Sequence, residues 1–230
     1  MPRPSDLAYW QSVHNTHLGE RCFVLALGPS LKEVDISPLA SEFTFGITFL
    51  YRWEGLHFRP NVWIANEIDH YYKIAEHIAD WDILKVLVAG QSPDRDRSWR
   101  WLYKDSRAGY SGDPYRWEGQ DDLLGLGDEF WRGPTCYSAV PDAAIPIAFW
   151  MGFQEVYLLG VDHTVDGYIY DPEFERSAQV IRNVNKAYTN MLPVVKKYGR
   201  KLLNCSPNSL APVPHMSLSD VLGDGDPDFT

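Results

Sequence analysis

The chain predicts a doubly wound α/β fold, a largely parallel sheet covered on both faces, and three observations carry that expectation. Short, near-continuous apolar runs recur along its 230 residues. Segments with helical spacing separate several of them. Small polar residues follow most of the runs, where such a sheet presents its carboxyl ends.

The first run, residues 22–27, reads Cys-Phe-Val-Leu-Ala-Leu and leads into Gly28-Pro29-Ser30. Ser30 and Glu33 have the spacing of a capping box, which predicts a helix over 31–39. The free N–H groups of that helix would face an anion beyond the strand, although a plain N-cap explains the same residues. Strands are expected over 43–50, 61–65 and 83–89, with a helix over 67–79. A helix over 142–151 ends at Gly152, and strands over 156–160 and, more weakly, 201–205 flank a long helix over 178–198. In that helix Val180, Val184, Ala187, Met191, Val195 and Tyr198 fall three to four residues apart and form one apolar face. Pro193 is expected to kink or divide it. The alternation is Rossmann-like, and the length suits a single domain over 1–230. Residues 91–135, rich in Trp, Tyr, Arg, Asp and Gly, show no sustained period. They read as an irregular aromatic-rich insertion that packs over a sheet edge or forms a lid. The acidic stretch 223–230 lacks the spacing of a calcium loop and reads as a frayed tail.

Composition narrows the function. Lys and Arg total 21 against 31 Asp and Glu, a net charge of −10, which disfavours nonspecific attraction to nucleic acid or anionic lipid. Three cysteines, Cys22, Cys136 and Cys205, lie far apart without C-x-x-C spacing, which suits a reduced, cytoplasmic protein without a metal site. No apolar run reaches the ~18 residues of a membrane span, and the N-terminus does not read as a signal peptide. Nine Trp, thirteen Tyr and ten Phe exceed what the core needs, so some are expected at a binding surface or a homo-oligomer interface. Walker, dinucleotide-fingerprint, nucleophile-elbow and zincin motifs are absent.

The expected strand ends gather polar groups: Gly28-Pro29-Ser30, Thr48, Asn66-Glu67, Gly160-Val-Asp162-His163-Thr164 and Ser206-Pro207-Asn208-Ser209. Backbone N–H and small side chains of this kind can hold a nucleotide without a large positive patch, although loops are polar anyway. His163 can exchange a proton with a hydroxyl or a leaving phosphate; equally, Asp162 can cap a turn and His163 bond the backbone. Tyr168 and Tyr170 sit on a loop opened by Gly167, where their phenols can steady a phosphate or their rings merely pack.

Three stretches match a known pattern: Leu-Gly-Pro-Ser-Leu-Lys-Glu at 27–33, Ala-Phe-Trp-Met-Gly-Phe-Gln-Glu-Val-Tyr-Leu-Leu-Gly-Val-Asp-His at 148–163, and Cys-Ser-Pro-Asn-Ser-Leu at 205–210. They resemble the N-G-P-S-L-K-E, A-x-x-L-G-[FY]-K-E-I-Y-L-x-G-[IV]-D and C-P-N-S-L motifs of bacterial sialyltransferases that use CMP-activated sialic acid. Related domains occur in flagellar motility accessory factors and archaeal hydroxymethylpterin diphosphokinases. The resemblance implies a nucleotide with its phosphate near Gly28, Pro29 and Ser30, its nucleoside near Asn66 and Asn208, and Tyr170 at the leaving phosphate. It implies inverting, metal-independent transfer of a sugar from a CMP-sugar donor to a glycan or small-molecule acceptor, with no further cofactor. Leu27 stands where the family has Asn, Thr48 replaces a second Asn, and Thr164 replaces the first phosphate tyrosine. No His lies between His163 and His215, so the family's lid histidine is missing and His163 comes forward as a replacement base.

The candidates are therefore His163, Asp162 and Tyr170 for catalysis. For substrate they are Gly28, Pro29, Ser30, Thr48, Asn66, Ser138, Gly160, Tyr168, Pro207, Asn208 and Ser209. Two alternatives stay open: pyrophosphoryl transfer from ATP with Asp162 helping to bind Mg²⁺, and a non-catalytic nucleotide- or glycan-binding module.

Overall fold

The computed structural model describes residues 3–90, 98–103, 125–126 and 138–223, with residue 142 by its backbone alone. Seven strands form one sheet: β1 (Arg21–Leu25), β2 (Thr44–Ile47), β3 (Val62–Asn66), β4 (Leu84–Ala89), β5 (Trp99–Tyr103), β6 (Glu155–Leu159) and β7 (Lys201–Asn204). Their order is β5-β4-β3-β2-β1-β6-β7, and every neighbouring pair is parallel. β2 and β3 are buried along their whole length and β1 and β6 nearly so, as a parallel sheet covered on both faces requires. Chain order reverses between β1 and β6, which makes that pair the switch point of the sheet.

The helices depart from expectation where proline and local hydrogen bonding intervene. Residues 29–41 form two short 3₁₀ turns, Pro29–Glu33 and Ser37–Ser41, and no α-helix over 31–39. Val34 between them is extended, the Asp35 carboxylate takes the Ser37 N–H, and Pro38 cannot sit inside a continuous helix. α2 (Ile68–Ile74) is shorter than the expected 67–79. Ahead of α3 (Ile145–Met151) the chain makes one π turn over Val140–Ala144, with Ala144 N–H bonded to the Ala139 carbonyl, Pro141 inside it and Pro146 in the first turn of α3. Gly152 ends α3 in the left-handed conformation that glycine adopts freely. α4 (Ala178–Lys197) runs as one helix through Pro193 and does not divide there. Val184, Ala187, Met191 and Val195 of the expected apolar face are buried, joined by Tyr188 and Val194, whereas Val180 and Tyr198, near the two ends of the helix, are exposed. A short α5 (Leu218–Leu222) follows β7.

Three elements escaped the sequence reading: α5, β5 and α1. β5 lies inside the stretch read as irregular; the rest of 91–135, apart from residues 125 and 126, and the tail 224–230 lie outside the described residues. α1 (Pro4–Ser12) covers β5. Asp6, buried and paired with Arg3, accepts the Trp101 N–H at 3.3 Å; Arg3 donates to the Trp99 carbonyl, and Trp10 Nε1 to that of Trp101. Much of the aromatic surplus is spent here and in the core, where Trp10, Trp63, Trp99 and Trp150 are fully buried. Among the described residues no helix is long and apolar enough to cross a membrane.

Asp6→Ala removes the acceptor for a buried backbone N–H and the partner of Arg3. It should cost about 1–3 kcal/mol, seen as a lower urea midpoint with the slope unchanged. An unchanged midpoint would show that α1 contributes nothing through this pair.

Candidate functional site

At the switch point the loops after β1 and β6 are tied together. Gly28 N–H donates to the Gly160 carbonyl at 2.7 Å, Ser30 N–H donates to Asp162 Oδ2 at 2.9 Å, and the Ser30 hydroxyl donates to Asp162 Oδ1. The turn is thus closed by a carboxylate of the protein itself. Ser30 is not an N-cap and forms no capping box; it lies within the first 3₁₀ turn, whose N-cap is Gly28. Gly28 is required by close approach, since a Cβ there would lie 2.5 Å from both the Asp162 carboxyl carbon and the Gly160 carbonyl oxygen.

Beside this junction, outside the carboxyl ends of β1, β2, β3 and β6, lies a cavity of about 560 Å³. Strain marks the same edge. Thr48 (φ 42°), Glu67 (φ 111°), His163 (φ 56°) and Asn208 (φ 55°) follow β2, β3, β6 and β7, and make four of the five non-glycine residues with positive φ among the described residues. The turn at Thr48 also ends β2 short of the expected residue 50.

Of the sequence candidates, Thr48, Asn66, Ser138, Gly160, His163, Tyr168 and Tyr170 line the cavity. Gly28, Ser30 and Asp162 are spent on the junction and do not line it, and neither does Pro29. Pro207, Asn208 and Ser209 do not line it either. Asn208 is exposed, and the Ser209 hydroxyl donates to the Val161 carbonyl at 2.6 Å, tying the loop after β7 to the loop after β6. The wall also holds Arg52, His70, Lys73 and Arg176, which the sequence reading passed over. His70 stands in the first turn of α2, four residues after Asn66 at the end of β3, and its Nδ1 lies 3.2 Å from Asn66 Oδ1. Arg52 ends a 3₁₀ turn over Leu50–Arg52 and Arg176 lies just before α4, and nothing in the spacing sets either apart.

The two tyrosines form one unit. Ile169 N–H donates to the Leu27 carbonyl at 2.7 Å, and Tyr168 N–H to the Asp171 carbonyl at 2.8 Å, which pins the turn to the end of β1. Gly167 is packed rather than hinged, because a Cβ would meet the Asp171 carbonyl oxygen at 2.4 Å. The rings of Tyr168 and Tyr170 stack 5.5 Å apart, with Arg176 4.5 Å over the first and Arg52 5.6 Å over the second. Burial, with Tyr168 adding to it against Arg52, pushes the Tyr170 phenol up to about 12. It remains a hydrogen-bond donor at neutral pH.

His163 is half-buried; its Nδ1 bonds Asn185 Oδ1 from α4, and its ring packs 5.2 Å from that of Tyr188. Burial lowers its pKa below the ordinary imidazole value; the Asn185 bond opposes the shift, Arg176 reinforces it and Asp162 opposes it. Burial likewise lowers His70, against the Asn66 bond. Among the described residues, Arg52, Lys73 and Arg176 face a wall whose one carboxylate is Asp171, in a chain of net charge −10. Among those residues too, Thr48 Oγ1 and Arg176 Nε are buried without a hydrogen-bond partner. No three described His, Cys, Asp or Glu side chains form a group able to hold a metal ion.

No protein-family model matches the chain, and no curated protein sequence matches it. Its backbone is similar to solved structures of the sialyltransferase CstII from Campylobacter jejuni. The complex with the substrate analogue CMP-3FNeuAc matches with a TM-score of 0.52 at 19% identity, over 86% of each chain. The complex with cytidine-5'-monophosphate matches with a TM-score of 0.50 at 19% identity, over 84% of this chain and 82% of that one. At this identity the likeness is one of fold.

Gly28→Ala should force the Asp162 junction apart and cost about 1–3 kcal/mol of stability, because neither neighbour of the new Cβ can withdraw without breaking a buried hydrogen bond. A thermal midpoint equal to that of the parent would show that the junction gives way freely.

Proposed function

We propose that the chain is a glycosyltransferase that moves a sugar from a nucleotide donor, of the CMP-sugar class, to a hydroxyl of a glycan acceptor. The observation that carries the reading is the cavity wall at the switch point. In an acidic protein it presents Arg52, Lys73 and Arg176, two of them over tyrosine rings, and buried polar atoms left over for a ligand. A fold shared with CstII, whose structures hold CMP and a CMP-sugar analogue, supports the choice of donor.

In this reading the acceptor oxygen attacks the anomeric carbon and gives its proton to His163 Nε2. The bond from that carbon to the phosphate oxygen breaks, and the electron pair leaves with the nucleotide monophosphate. The new negative charge falls to the Tyr170 phenol and to Arg52 and Arg176, which can take it without a metal ion. Asn66 and Thr48 face the nucleotide, and the backbone of Gly160 lets it approach the sheet. The lowered pKa of His163 keeps the imidazole unprotonated at neutral pH, as a base must be. Buried, unpaired Cys22 and Cys205 fit a reducing, cytoplasmic setting.

CMP should raise the thermal midpoint without added Mg²⁺, and Arg52→Ala should weaken that response. His163→Ala should lower kcat roughly 10²-fold or more while leaving CMP binding intact. Transfer should fall on the acid side only below the pH at which an ordinary imidazole titrates, since the folded pKa is depressed. A shift with ATP and Mg²⁺ but none with CMP would replace this reading with pyrophosphoryl transfer. No response to any nucleotide would leave a non-catalytic binding module.

A further inference from the structure

We infer that Asn185 is the positioning residue for His163, holding the imidazole in the tautomer whose free lone pair is on Nε2. The inference rests on the proposed role of His163 as base. The bond between Asn185 Oδ1 and His163 Nδ1 crosses from the middle of α4 to the loop after β6, joining residues 22 apart. An amide oxygen accepts, so the imidazole donates from Nδ1, and in the neutral ring Nε2 is then left as the acceptor.

The surroundings leave this task to Asn185. Asp162, adjacent in sequence, is bonded through both carboxylate oxygens to Ser30. Arg176 is the other charged group acting on the ring, and it disfavours the imidazolium. Tyr188, one turn on from Val184, packs by its ring. Asn is a poor helix-interior residue, since its side chain competes for backbone hydrogen bonds, yet position 185 lies inside a 20-residue helix. Its amide reaches across to the imidazole instead. His163 is itself held at φ 56°, so the ring enters from a backbone conformation that costs energy and that the Asn185 bond helps fix.

An uncharged acceptor sets orientation without raising basicity far, unlike a carboxylate at the same place. The base then stays neutral at the pH where it works. The leaving phosphate, rather than a neighbouring anion, is the negative charge that the site accommodates.

The test compares the full chain with Asn185→Asp and Asn185→Leu, after circular dichroism and thermal melts establish that each is folded. Nitrogen-15 NMR of the histidines reads the tautomer directly, and pH profiles of kcat/KM read the base. The parent should show His163 as the Nδ1–H tautomer. Asn185→Asp, nearly isosteric, should raise the His163 midpoint by about one unit or more and move the acid limb of the profile with it. Asn185→Leu should give mixed tautomers and lower kcat about tenfold with CMP affinity unchanged. An Nε2–H tautomer in the parent, or an unmoved midpoint in Asn185→Asp, would overturn the inference while nucleotide binding and transfer stand. If instead no nucleotide binds, the function fails and the NMR result still decides whether Asn185 sets the ring.

Discussion

One buried carboxylate organises the working edge of this molecule. Asp162 takes both the amide and the hydroxyl of Ser30, and Gly28 donates to Gly160 beside it. Together these bonds join the ends of β1 and β6, the two strands between which the chain reverses direction across the sheet. A buried carboxylate is tolerated only with its oxygens satisfied, so Ser30 and Asp162 hold each other in place. The junction then fixes the segments beside it: Leu27 offers its carbonyl to the Tyr168–Tyr170 turn, and His163 emerges one residue after Asp162.

This arrangement alters how the site meets an anion. A glycine-bearing turn after the first strand commonly points free N–H groups at a phosphate. Here the Ser30 N–H is already taken, and the first 3₁₀ turn is only five residues long, so little helix dipole is left to use. Positive charge comes instead from side chains on three separate segments, Arg52, Lys73 and Arg176. Guanidinium groups over aromatic rings are less hydrated than lysine ammonium groups, which lowers the cost of bringing a ligand against them.

Much of the architecture was legible because burial leaves a plain mark. Strands covered on both faces must be mostly apolar, and β1, β2, β3, β4 and β6 show it, while β7, Lys-Leu-Leu-Asn with Lys201 exposed, shows it more weakly. β5 did not, because Arg100 and the bulky Trp99 and Trp101 give an edge strand no uniform run. The helix expected over 31–39 failed at Val34 and Pro38, since a capping pattern starts a helix but cannot carry it past a proline. For the cavity, the strand ends pointed to the edge where it lies, and Thr48, Asn66, Gly160 and His163 all line it. The strand ends did not reveal which side chains turn inward and which turn toward the neighbouring loop. That choice separates His163, which lines the cavity, from Asp162, which does not, and depends on a left-handed backbone that neighbouring letters do not encode. Arg52 and Arg176 are brought in by connecting segments whose paths are set by distant contacts.

The outermost strands lead to a different conclusion. On β5 the outward Trp99 carbonyl and both backbone groups of Trp101 are occupied by Arg3, just before α1, and by Trp10 and Asp6 within it. On β7, Asn204 exchanges backbone bonds with Pro214 and Met216. At these positions the outward backbone groups are already taken, so an incoming strand finds no free ladder at Trp99, Trp101 or Asn204. A second chain could extend the sheet there only by first displacing the bonds of Arg3, Asp6, Trp10, Pro214 or Met216.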